Sequence, residues 1–177
     1  MTWRPEEFDE LAEELRRRVA AEFRTEAEEV ELLVHLQRRR NADLRDVAEA
    51  AMHQGQGVTV RGFGDEWSGE VLAVGADYLS LKTAAQLLDA RLDSIAIGLT
   101  PAREGGRAGK PASDTFKARL TEFEMSEDLV TLRSGIPVIE VTGVIDVVAT
   151  DHVVIKCPES IYLPLGGIFA AIRPLPE

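Results

Sequence analysis

Asp77 and Asp151 each stand at a short turn before an apolar run, as Gly75-Ala-Asp77 and Ala149-Thr-Asp151, and recurring carboxylates invite an acid–base reading. Nothing in the sequence places a second carboxylate beside either one. An aspartate at a turn between strands commonly hydrogen-bonds nearby backbone and tolerates unusual φ, so a structural role is expected for both. His152 and Cys157 lie five apart on one predicted strand, which points their side chains to opposite faces. With His35 and His53 in helical or turn contexts, no Cys/His spacing resembles a zinc site. The run Gly105-Gly106-Arg107-Ala108-Gly109-Lys110-Pro111 superficially suggests a phosphate loop. A P-loop needs glycine five residues before Gly109, where Glu104 stands, and Ser or Thr after the lysine, where Pro111 stands. The Gly62-Phe63-Gly64 turn joins strand to strand, unlike a dinucleotide fingerprint, and no Gly-x-Ser-x-Gly elbow occurs. The residue types therefore predict no enzyme, no cofactor and no metal.

What remains is binding. Phe63, Trp67 and Tyr78, with Arg61 nearby and Arg38, Arg39 and Arg40 upstream, are the candidate binding residues. Aromatic rings stack bases and arginines meet phosphates. Each has a plainer reading. Trp67 and Tyr78 suit a core or an internal interface. Arg38 to Arg40, followed by Asn41, suit a helix C-terminus, where cations oppose the dipole and Asn accepts a left-handed conformation.

The elements that would position these residues can be read from periodicity. Phe8, Leu11, Leu15, Val19 and Phe23, continued by Ala27, Val30, Leu33, Val34 and Gln37, predict a helix over 6–40. Pro5 suits its first turn. Thr25 with Glu28 makes a capping-box pattern that would break it in two, although the unbroken stripe favours one helix. Asp43 is placed to cap a short helix from Leu44 to His53. From Gly57 the period changes to alternation: short strands at Val58–Val60, Trp67–Val74, Tyr78–Lys82, Leu87–Leu88 and Ile95–Ile97, punctuated by turns. Phe116–Ser134 reads as a helix.

A net charge of −11 over 177 residues, with 45% hydrophobic and 29% charged, describes an acidic folded chain. Residues 1–54 hold 14 acids against 9 bases, 55–100 hold 6 against 3, and 116–177 hold 9 against 5. Only 101–115 is positive, so a polyanion would meet repulsion over most of the molecule. No apolar run approaches a membrane span. The lone Cys157 fits a reducing compartment, and no apolar leader is visible, so a cytoplasmic location is expected.

The repeat is the strongest signal. Gly69-Glu-Val-Leu-Ala-Val-Gly-Ala-Asp77-Tyr-Leu-Ser-Leu-Lys82 aligns with Gly143-Val-Ile-Asp-Val-Val-Ala-Thr-Asp151-His-Val-Val-Ile-Lys156 at an offset of 74. After a one-residue gap, Leu92-Asp-Ser-Ile95 matches Leu165-Gly-Gly-Ile168, and Pro101 matches Pro174. Gly57-Val58 and Gly135-Ile136 are read as matching strand starts. The pattern predicts an internal duplication: a helical segment over 1–43, units over 44–100 and 116–177, and a flexible linker over 101–115.

Each unit, a short helix followed by five short strands, resembles the Sm-like fold of small SH3-like β-barrels. The likeness is carried by the Gly…Val…Asp…Leu-x-Leu block (Gly69 to Leu81, Gly143 to Ile155) and the closing strands that end at Leu99 and Ile172. The resemblance implies an α+β chain with two five-stranded barrels, each preceded by a short helix, and with sheet edges able to pair with further copies. Family members that bind uridine-rich RNA carry an Asn two residues after the Asp and an Arg-Gly turn before the last strand. Here Asp77 and Asp151 run into Tyr78-Leu79 and His152-Val153, and the last turns are Leu92-Asp-Ser94 and Leu165-Gly-Gly167. The expected function is thus a non-catalytic interaction or scaffolding module. It would self-associate or hold a protein partner through barrel edges and the N-terminal helix. The alternative is an RNA or single-stranded DNA binding regulator.

Overall fold

The computed structural model describes residues 5–102, 109–111 and 113–175. The Gly105-Gly106-Arg107 portion of the expected linker lies outside the described residues. The chain divides into two compact units, Met1–Ala42 and Asp43–Glu177. The first carries one continuous helix, α1 (Pro5–Asn41), with Arg38, Arg39 and Arg40 in its last turn. The break weighed at Arg24–Thr25 does not occur. Among the described residues no helix is long and apolar enough to cross a membrane.

The second unit opens with α2 (Leu44–Gln54). Asp43 accepts from Asp46 N while the Asp46 carboxylate accepts from Asp43 N, a reciprocal cap, and Gly55 closes the helix at φ +64°. Strands β1 (Gln56–Gly62), β2 (Asp65–Val74), β3 (Tyr78–Lys82), β4 (Gln86–Arg91) and β5 (Ala96–Ala102) follow, with a 3-10 turn at Leu92–Ser94. Helix α3 (Phe116–Ser126) then leads into β6 (Leu129–Gly135), β7 (Val138–Val148), β8 (His152–Lys156), β9 (Ser160–Pro164) and β10 (Ile168–Pro174), with a 3-10 turn at Leu165–Gly167. The strands form one open antiparallel sheet in the order β5-β1-β2-β3-β4-β10-β6-β7-β8-β9. The α+β expectation holds at that level.

The strand registers recur along the chain. Val71 faces Leu81 and Val74 faces Leu79, with a bulge between Val71 and Ala73. Ile145 faces Ile155 and Val148 faces Val153, with a bulge between Ile145 and Val147. A Cβ on Gly69 would lie 2.1 Å from the Lys82 carbonyl oxygen, and one on Gly143 equally close to that of Lys156. Both glycines are needed because the neighbouring strand passes too close for any side chain. Leu92 N donates to Asp77 O at 2.9 Å, and Leu165 N to Asp151 O at 2.8 Å.

The stretch before β7 corrects the sequence reading. Helix α3 stops at Ser126, Glu127 takes the left-handed conformation (φ +54°), and Leu129–Gly135 is a strand. Val130, Leu132 and Ser134 are buried in alternation there, a period of two that outweighs the helical propensity of the preceding residues. Gly135 therefore ends a strand rather than starting one. The residues standing where Gly57-Val58 stand are Leu129-Val130, since Val58 faces Gly69 and Val130 faces Gly143. The first and second halves are thus offset by 72 through β1 and β6. The offset becomes 74 because the β6–β7 hairpin is two residues longer than β1–β2.

Two apolar clusters support the sheet. One joins Ala48, Ala51 and Met52 of α2 to Val58, Val60, Leu79, Leu81 and Leu88. The other joins Phe116, Leu120 and Phe123 of α3 to Val130, Leu132, Ile145, Val153 and Ile155. Each fully buried Val, Leu, Ile, Phe or Met side chain contributes about 1.5–3 kcal/mol. The clusters exchange residues across the middle of the sheet: Phe169 and Ala170 of β10 belong to the first, and Tyr78 of β3 to the second.

Candidate functional site

Where β4 meets β10, polar groups gather in an otherwise apolar interior. β4 is buried on both faces from Leu88 to Ala90, so alternation turns Leu88 and Ala90 into the first core and Asp89 the other way. The Asp89 carboxylate is 2% exposed. It accepts from Ser80 Oγ on β3, faces Arg119 Nε at 3.2 Å and lies 3.8 Å from an Arg173 terminal nitrogen. Both guanidiniums lie over the Phe123 ring, 4.6 Å (Arg119) and 4.3 Å (Arg173) from its centroid. Arg119 also pairs with Glu122, one helical turn on, and Arg173 with Asp128 at 3.4 Å. Three carboxylates therefore hold two guanidiniums across β4, α3, β10 and the turn that follows α3. The Arg173 Nε is buried without a hydrogen-bond partner.

Burial pushes the Glu122 carboxyl up. The hydrogen bonds from Ser113 and Arg119, with the charges of Arg119 and Arg173, outweigh that and hold it below the usual carboxylate range. Burial, reinforced by Asp89, raises the Tyr78 phenol. Its OH donates to the Ser113 carbonyl at 2.9 Å and its ring lies 6.3 Å from Phe116. Asp77 caps α3 from the other half: its carboxylate accepts from Phe116 N at 2.6 Å. Arg91 spans the same boundary, donating to the carbonyls of Leu165 and Gly166 at 3.3 Å. These groups pin the two halves together through charge and directed hydrogen bonds. The cluster has no sequence signature, since Asp89, Arg119 and Arg173 are remote in the chain and only the β4–β10 pairing unites them.

The candidate binding residues are dispersed by comparison. Tyr78, expected as a stacking residue, is 1% exposed, a core side chain that offers no open ring face. Trp67 is half-buried against the first core, its ring 6.2 Å from Phe169. Phe63 is half-exposed at φ +51° in the β1–β2 turn, its ring 4.8 Å from Phe169. Arg61 is paired with Glu66 at 2.6 Å. The same cross-strand pair recurs as Arg133–Glu140 at 2.7 Å, with Asp65 also on Arg133 at 3.1 Å. Arg38, Arg39 and Arg40 are exposed on α1, in the other unit. Six arginines of the second unit, at 45, 61, 91, 119, 133 and 173, thus face carboxylates. Arg133 edges a recess of about 270 Å³ lined by Phe63, Asp65, Ser134, Glu140 and Phe169.

Asp151 pairs with His152 at 2.7 Å, and this contact holds the Asp151 carboxyl low. Among the described residues, no three His, Cys, Asp or Glu side chains gather as a metal site would require. At the ends of the sheet, among the described residues, β5 pairs only with β1 and β9 only with β8, and Leu99 and Tyr162 are exposed. No protein-family model matches the chain, and no curated protein matches it.

Proposed function

We propose that this chain is a non-catalytic assembly module, two diverged Sm-like barrel units in tandem, that adds further copies through the outer strands of its sheet. The observation that carries this reading is the identity of the unpaired edges. Inside the chain, the fourth strand of the first half (β4) pairs with the fifth strand of the second (β10), with Ala90 opposite Ala170 and Gln86 opposite Pro174. The two edges left over, β9 and β5, are the fourth strand of the second half and the fifth strand of the first. A second copy can therefore repeat the internal pairing head to tail, which yields a ring if the rotation closes and a filament if it does not. Transferring the register through β1 and β6, where Gly98 pairs with Thr59 as Ile172 pairs with Thr131, places Gly98 opposite Ile161, Ile97 opposite Tyr162 and Leu99 opposite Ser160.

The prolines on these edges fit that register. Thr100 stands where Pro174 stands, so Pro101 falls one residue beyond the positions the internal pairing uses. Pro164 stands where Arg91 stands, beyond the paired residues of β4. Unprotected sheet edges otherwise invite uncontrolled pairing, and lysine on an edge suppresses it. The engaged arginines and the net charge of −11 favour this reading over binding of RNA or single-stranded DNA.

Light scattering on the full chain tests it. The expected mass is a multiple of the chain mass, and Leu99→Lys combined with Tyr162→Lys lowers that multiple without loss of the circular dichroism of the sheet. A mass unchanged by the edge lysines removes the reading. Binding of U-rich oligonucleotide that survives near-physiological salt transfers it to the nucleic-acid alternative.

A further inference from the structure

Helix α1 exposes an apolar stripe. Val19, Phe23, Val30 and Val34 are 42%, 66%, 58% and 44% exposed, and at 100° per residue they fall within one narrow arc of the helix. The sequence extends the same spacing to position 15, a leucine, and position 27, an alanine. The stripe is nearly palindromic. Positions 15 and 34 are equidistant from a centre between 24 and 25, as are 19 and 30, and Phe23 faces 26–27 across that centre. Two copies crossing antiparallel about this point would each place valine on valine and leucine on valine.

The charges obey the same centre. Residues 6–14 hold six acids and no base, 16–18 are three arginines, 22–31 hold five acids and one arginine, and 38–40 are three arginines. Reflection about the centre brings the acidic block 6–14 opposite Arg38, Arg39 and Arg40. It brings Arg16, Arg17 and Arg18 opposite residues 31–33, beside Glu29 and Glu31. Glu26, which lies within the apolar arc, falls next to position 24 of the other helix, an arginine. A parallel pair in register would set every block against its own copy, and like charges at close range repel. The antiparallel pair sets only residues 22–27 of the central acidic block against their own copy, so the charge order favours a second copy in the antiparallel direction.

We infer that α1 is a self-complementary docking helix whose partner is α1 of a second copy, crossing antiparallel about residues 24 and 25 through Val19, Phe23, Val30 and Val34. This is an isologous contact, unlike the head-to-tail sheet contact, so the two can coexist in one assembly. A helix of 37 residues spans about 55 Å, enough for both arginine blocks to reach their acidic counterparts.

The test uses the full chain in a Cys157→Ala background. Val19→Cys and Val30→Cys chains are oxidised separately and as a mixture. The mixture is expected to give a disulfide-linked dimer and neither chain alone to do so, because like positions lie 11 residues apart along the antiparallel pair, about 16 Å. Cross-linking of Val19→Cys with itself indicates a parallel pair and overturns the proposal. Absence of cross-linking in all three samples, as when α1 lies against its own sheet or another protein, overturns it too. Replacing Arg38, Arg39 and Arg40 with Glu is expected to lower the cross-link yield several-fold. Mixing that chain with one carrying Lys at 6, 7, 9 and 10 is expected to restore it. Repeating the cross-link with Leu99→Lys separates the two contacts: the helix pair persists whether or not the sheet edges associate.

Discussion

Asp89 is the residue whose chemistry reaches furthest. It is the shared acceptor for Ser80, Arg119 and Arg173, in a place where water does not compete. Removing one partner from a buried ionic group leaves the others uncompensated. Asp89→Ala is therefore expected to cost about 3–5 kcal/mol of unfolding free energy in urea titrations, and Asp89→Asn less, since it keeps the shape and an acceptor oxygen. Glu122 adds a pH dependence. Its folded-state carboxyl titrates below the unfolded one, so its contribution is complete above the unfolded value and is lost as pH falls through the folded one. In thermal melts from neutral pH down to about pH 3, Glu122→Gln is expected to be less stable than the parent at neutral pH, with the gap narrowing in acid. A gap that widens on acidification would contradict the direction assigned to Glu122. Glu122 itself lies in a stretch correctly read as helix, yet its partners Ser113 and Arg173 lie outside that helix. The sequence held no sign that they meet.

Among the elements, the bulged hairpins β2–β3 and β7–β8 share one requirement, a glycine where the strands come closest. Gly143→Ala would put a methyl carbon 2.1 Å from the Lys156 carbonyl oxygen, a backbone atom that cannot swing away. The expected loss is about 1–3 kcal/mol, read by the urea midpoint, and Gly69→Ala should behave alike because the approach to Lys82 is the same. Loss at one glycine only would show that the two hairpins are not equivalent in packing. These glycines were legible beforehand, because Gly69 and Gly143 open the aligned blocks. The strand β6 was not legible: Phe116 to Ser126 is helical and Leu129 onward is extended, with Glu127 in a left-handed turn that glycine would ordinarily mark. Without that signal the sequence pattern carries the helix on to Ser134. The matching offset of 72 between β1 and β6 was lost with it.

For the whole sheet unit, the exchange of Phe169, Ala170 and Tyr78 between the cores predicts cooperative unfolding. In a Trp3→Phe background, Trp67 fluorescence reports the first core and circular dichroism the sheet, and both are expected to change at one urea midpoint. Phe169→Ala, in the second half, is expected to lower that midpoint, for a loss of about 3–5 kcal/mol of unfolding free energy, and to alter the Trp67 emission. A chain ending at Ala102 lacks both Phe169 and the strand that covers β4, and is expected to show no cooperative transition. Two separate midpoints in the full chain would mean that the halves fold independently.

The sequence by itself determined the order of helices and strands apart from β6, the recurring blocks around Gly69 and Gly143, the capped start of α2 and the single long helix over α1. Each follows from local spacing, glycine placement or capping chemistry, interactions among residues close in the chain. Tertiary structure alone decided that β4 and β10 pair and that Asp89, Arg119 and Arg173 share one buried cluster. It also decided that Tyr78 belongs to the core of the opposite half and that β5 and β9 are the strands left unpaired. Those outcomes depend on which strand edges meet, and backbone hydrogen bonds between strands carry almost no residue identity. Many pairings are compatible with one pattern of strands. The choice among them is made by how the apolar faces and the few buried charges fit when the whole sheet is assembled.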